Sequence, residues 1–151
     1  MTEAELTTLL DRFLDRTLPA AEWTHHAHLL VGLMLGRRLE QAQMLPFLRE
    51  NIAAYNVASG GKNTDEAGYH ETITAFYAAT LGAFARATAG LSLAEAARRL
   101  LAGRLADRKV VLDAYLEETL KSKAARLGYR APDHAGFSPE ALAAECAADA
   151  G

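Results

Sequence analysis

Apolar residues recur every three or four positions along most of this chain, and the recurrence breaks only at short clusters of turn residues. Leu6, Leu9, Leu10, Phe13 and Leu14 form one apolar face behind Thr2 and Glu5, a capping box. A second helix runs to about Leu39 and opens either at Pro19 or at Thr24 as N-cap. Leu29, Leu30, Val31, Leu33, Met34 and Leu35 surround its axis, as in a central helix. Gly32 and Gly36 weaken that helix by roughly 1 kcal/mol each relative to Ala, which predicts close approach of another element. Pro46 fits the first turn of a third helix, with Leu48, Ile52 and Tyr55 inward and Asn56 near its end. Ala58 to Ala67 is the least helical stretch.

A fourth helix carries Tyr69, Ile73, Phe76, Tyr77, Thr80, Leu81 and Phe84 in phase and ends by Gly90. Ser92 and Glu95 cap a fifth, with the stripe Leu93, Ala97, Leu100, Leu101 and Leu105. A sixth spans roughly Arg108 to Leu127, with Leu112, Leu116 and Leu120 aligned and Gly128 as C-cap. Tyr129 to Phe137 reads as an extended segment, and Ser138-Pro139-Glu140 opens a short last helix whose Ala-rich end (Ala141 to Ala150) is expected to fray. With no alternating strand pattern, the predicted fold is all-α: one domain over residues 1–151, a compact irregular bundle of about six helices. Residues 138–151 are expected to pack loosely, and short connections to make the second helix and its neighbours largely antiparallel.

Aromatics are only 7% of the residues, so the predicted core is mostly Leu and Ala. A net charge of -3 gives no basic excess for a nucleic-acid partner. The longest apolar run, Leu29 to Leu35, is far too short to span a bilayer, which argues against a membrane partner. Cys146 is alone and cannot form an intramolecular disulfide, and Met1 to Arg12 lacks the basic and apolar regions of a signal peptide. Both features predict a cytoplasmic protein. Cys146 also lacks a local basic partner that would make it a nucleophile. The basic stretch Arg98, Arg99, Arg104, Arg108 and Lys109 is interleaved with acids and reads as a solvated face. The exposed faces of the fifth and sixth helices are open to a homodimer contact.

Four of the five histidines fall in Trp23-Thr24-His25-His26-Ala27-His28 and Gly68-Tyr69-His70-Glu71-Thr72; His134 reads as a solvated loop residue. Positions three apart share a helix face, so His25 and His28 are neighbours on a stripe continuing through Gly32 and Gly36. His26 points elsewhere, toward the side of Trp23, Leu30 and Leu33. On the fourth helix His70 lies about 60° from Ile73, the centre of the inner face, with Thr74 and Tyr77 placed to orient its second nitrogen. His70 and Glu71 are the catalytic candidates, although Glu71 lies nearly opposite and suits a supporting or capping carboxylate. Asn56, Asn63 and Thr64 would line the mouth of a pocket at one end of the bundle, with Tyr69 or Trp23 as a wall. For Asn63 and Thr64 the competing account is N-capping of the fourth helix; for Trp23 it is a core anchor. Gly60-Gly61-Lys62-Asn63-Thr64 is not a P-loop, because it lacks the earlier glycine and a Ser or Thr directly after the lysine.

Trp23-Thr24-His25, His28-Leu29, Tyr55-Asn56, Asn63-Thr64 and Gly68-Tyr69-His70-Glu71-Thr72-Ile73-Thr74 resemble blocks in a family of small, uncharacterised bacterial all-helical proteins. The resemblance spans roughly Leu18 to Leu81. It implies that these polar residues belong together and carries no activity with it. Three readings follow from the residues. In the first, His25, His28 and His70 hold a divalent metal, zinc or iron, for hydrolysis or oxidation of a small molecule. In the second, the same groups bind a small ligand without metal, with a histidine as general base. In the third, the histidines satisfy buried backbone groups in a structural or adaptor protein.

Overall fold

The structure, a computed structural model, describes residues 1–148, which contain eight α-helices, three 3-10 segments and no strand. The α-helices are α1 (Glu3–Leu14), α2 (His25–Arg38), α3 (Gln41–Ala58), α4 (Glu71–Ala87), α5 (Leu93–Ala102), α6 (Glu117–Lys121), α7 (Lys123–Leu127) and α8 (Pro139–Ala147). The 3-10 segments are Ala20–Glu22, Arg104–Ala106 and Arg108–Asp113. Among the described residues no helix is long and apolar enough to cross a membrane.

Helix α4 is the hub and packs against α2, α3, α7 and α8. Its closest partner is α2, where Leu29, Val31, Leu33 and Leu35 are buried. Gly36 explains the approach: a Cβ there would lie 2.9 Å from Cβ of Ala85 and 3.2 Å from the Leu81 carbonyl oxygen. The His25 ring meets Tyr77, while Gly32 meets Leu81 and Gly36 meets Ala85, so α2 and α4 run in the same sense. The antiparallel expectation therefore fails for this pair; α3 lies between them in sequence and turns the chain back. Both N-termini end on the same side of the bundle, and that fact positions the site.

Two boundaries and one packing differ from what the sequence predicts. Helix α3 begins at Gln41, with the Gln43 side chain accepting from the Glu40 N–H, so Pro46 sits inside the helix. The expected sixth helix is broken into the 3-10 segment 108–113, α6 and α7. Ser122 makes the second break: its hydroxyl donates to the Thr119 carbonyl and accepts from the Ala125 N–H, capping α7. The burial pattern shifts accordingly. Val110, Val111, Ala114 and Tyr115 are buried, while Leu112 and Leu116 are exposed. Finally, α8 does not pack loosely: Leu142, Ala143 and Cys146 are buried against the core, and the helix rests on α4 and α5. Residues 149–151, where the expected fraying would be greatest, lie outside the described residues.

Candidate functional site

Between the N-terminal halves of α2 and α4 and the C-terminal half of α3 lies a cavity of about 770 Å³. Trp23, His25, His28, Asn56, Tyr69 and His70 all line it, on apolar walls from Leu29, Val31, Leu48, Ile52, Ile73 and Leu81. Glu71, Asn63, Thr64 and His26 do not.

Thr24 caps α2, its hydroxyl accepting from the Ala27 N–H at 3.2 Å, and this fixes the first turn that carries both histidines. Nδ1 of His28 lies 2.6 Å from the Thr24 carbonyl oxygen. A carbonyl can only accept, so Nδ1 carries the proton and Nε2 holds the lone pair. Among the described residues no protein group hydrogen-bonds to Nε2. The ring stacks on Trp23 at 3.8 Å, and Trp23 stacks in turn on Phe13 at 4.4 Å. Trp23 therefore faces His28, not the His26 side expected from the sequence. Surrounding protein withdraws bulk water from the His28 imidazolium and pushes its pKa down to about 4, against the Thr24 carbonyl, which favours the charged form. His28 is thus neutral at neutral pH; the residue lines the cavity and at the same time keeps surface exposed to solvent, so the protein crowds the ring without sealing it off.

His25 donates from Nε2 to the Leu105 carbonyl at 3.2 Å and meets Tyr77 edge-on at 5.8 Å. Burial lowers its pKa, and the nearby Arg108 charge lowers it further.

His70 is not on a helix face at all. It is the N-cap of α4, in extended geometry, and its Nδ1 accepts from the Ile73 N–H at 3.1 Å. Nε2 then carries the proton and donates to the Leu120 carbonyl at 2.7 Å. That carbonyl is available because α6 ends there. The inward face expected from helical phase is replaced by a cap, and Leu120, not Thr74 or Tyr77, orients the second nitrogen. With 8% exposure and both nitrogens bonded, His70 is held as a structural clamp between α4 and α6, its pKa lowered by burial.

Glu71 faces away from the cavity. It takes a two-pronged bond from Arg49, at 3.0 and 2.7 Å, and a third from the Tyr69 hydroxyl at 2.6 Å. Arg49 holds its carboxyl below the usual range. The carboxylate thus ties the start of α4 to α3 and leaves no oxygen free of a donor, in place of the catalytic role expected for it. Asn63 and Thr64 are loop staples. Asn63 Oδ1 accepts from Asn56 and from the Tyr69 N–H, its amide donates to the Ala53 carbonyl, and Thr64 accepts from the N–H groups of Glu66 and Ala67. Neither caps α4, the role taken by His70. Gly68 completes the loop at φ +85°, where any side chain would also strike the Lys62 carbonyl.

Among the described residues no three His, Cys, Asp or Glu side chains form a group able to hold a metal ion. The expected His25–His28–His70 ligand set fails on its donors, because binding through His70 would break either the α4 cap or the Leu120 bond. Tyr77, Lys62, Arg108 and Arg126 also line the cavity. Arg108 is exposed, as a solvated basic face requires, and it also lines the cavity, which no helical period could show because the segment that carries it is 3-10. No protein-family model, curated protein or solved structure matches the chain.

Proposed function

We propose that this protein binds a small organic molecule, without a metal ion, in the cavity between α2, α3 and α4. The observation that carries the reading is the bare Nε2 of His28, presented from an oriented, neutral ring inside a mostly apolar chamber of about 770 Å³. A chamber of that size suits a ligand with an apolar body and a few polar groups. His28 would accept a hydrogen bond from an O–H or N–H of the ligand, and Trp23 and Tyr69 would supply flat walls. A second reading, proton-transfer catalysis, is favoured by the same ring: a backbone carbonyl on Nδ1–H fixes the tautomer that leaves Nε2 as a base.

The test is a thermal-shift screen of organic compounds alongside zinc and iron(II), on wild type, His28→Ala and the cavity-filling Ile73→Trp. Stabilisation by organic compounds that both substitutions abolish, with no response to either metal, is the expected result. Stoichiometric zinc or iron held by His25, His28 and His70 would overturn it. So would a screen in which nothing distinguishes wild type from Ile73→Trp.

A further inference from the structure

We infer that the ligand of this cavity is an organic anion, a carboxylate or phosphate on an apolar body, with Arg108 as its principal counter-charge; this rests on the binding reading above and names its chemical class. Lys62, Arg108 and Arg126 line the cavity, and among the described residues no Asp or Glu does. Arg126 is partly occupied, donating to the Gly68 carbonyl at 2.9 Å. Among the described residues Arg108 makes no ion pair or hydrogen bond; its charge is felt by His25, His28 and Tyr77, and the opposing charge of Asp107 reaches His25 and Tyr77 less strongly. A guanidinium left without a carboxylate beside two neutral imidazoles and a phenol can take its negative partner from a ligand.

The backbone adds to the same sign. The parallel run of α2 and α4 points two helix N-termini at the cavity, and each carries partial positive charge. The C-terminus of α3 also reaches it, but there the Tyr55, Asn56 and Val57 carbonyls accept from Ser59, Gly61 and Gly60, and the Ala53 carbonyl from Asn63. The two N-termini are capped at one N–H each, by Thr24 and His70, so the helix ends only add to a preference set by the cations in the lining. Asn56, Tyr77 and the histidines bring no negative charge of their own, and Asp107, which acts on His25 and Tyr77 less strongly than Arg108, is not in the lining.

The experiment uses two dyes with one body: anilinonaphthalene sulfonate, an anion, and phenylnaphthylamine, which lacks the sulfonate. The chain has a single tryptophan, Trp23, in the cavity wall; energy transfer from it reports dye binding, and loss of that signal in Ile73→Phe, which narrows the cavity, assigns the binding to this site. The sulfonated dye is expected to bind about tenfold more tightly, and Arg108→Gln to remove that advantage while changing the neutral dye less than about twofold. Arg38→Gln, the same charge change at an exposed arginine outside the cavity, should leave both affinities unchanged. Competition by phenylbutyrate against phenyl phosphate then tells which headgroup is preferred. Equal affinity for the two dyes, or a sulfonate preference that survives Arg108→Gln, overturns the anion inference and leaves the binding reading standing. Failure of both dyes to quench Trp23 overturns the two together.

Discussion

The two ends of the α2–α4 pair are held by opposite means. At the C-terminal end the helices touch backbone to backbone, with Gly36 against Leu81, Gly82 and Ala85. At the N-terminal end, rings and capped loops hold them apart. Trp23 is wedged between Phe13 and His28, His25 meets Tyr77, and His70 ties α4 to the Leu120 carbonyl. Small residues close one end, and large polar rings prop the other around a cavity. The histidines therefore divide by role. His70 clamps with both nitrogens, while His25 and His28 each keep a nitrogen that no group among the described residues bonds.

The comparison can be broken at the closed end first. Gly36→Leu puts a branched side chain where a Cβ alone already crowds Ala85, and should cost about 3 kcal/mol in urea unfolding. Stability within error of wild type would mean the helices can separate freely. At the open end, His70→Ala removes the α4 cap and leaves the Leu120 carbonyl without its donor, an expected loss of about 2 kcal/mol. His70→Asn, which can restore the cap but not the bond to Leu120, should recover part of that loss; no recovery would argue against the capping role.

A graded effect comes from pH. His25, His28 and His70 all have folded pKa values below that of the free side chain. As pH falls below about 6.5 the unfolded chain takes protons that the folded rings refuse, so the unfolding temperature should drop until pH nears the folded values, about 4 for His28. A melting temperature flat between neutral pH and about 5, or His28 titrating by NMR near the free value, would contradict this account. Smallest is Glu71→Gln. The Arg49–Glu71 pair is partly exposed, so the loss should be about 0.5–1 kcal/mol, and ligand affinity should not change. A large change in affinity would return Glu71 to the site.

Local rules carried far into the structure. Thr2 capping α1, Thr24 capping α2, Ser92 capping α5 and Ser138 capping α8 were legible because a cap needs only a hydroxyl and the next turn of chain. Gly36 was legible as a contact point because glycine in a helix interior has a local cost. The same rules failed between Arg108 and Leu127. Leu112, Leu116 and Leu120 keep helical spacing, yet 3-10 geometry and the Ser122 cap bury Val110, Val111, Ala114 and Tyr115 in their place. They failed again at His70, whose neighbour Leu120 is distant in sequence.

Read alone, the chain determined its helical class, the N-caps of four of its helices and the two segments whose histidines reach one cavity. These depend on spacing within one or two turns. What His25 and His70 can do was decided only by the tertiary structure, whereas the His28 tautomer is set within its own first turn by the Thr24 carbonyl. The tautomer and free lone pair of a histidine depend on which group faces each nitrogen. For His25 and His70 those groups are the Leu105 and Leu120 carbonyls, which come from far along the chain.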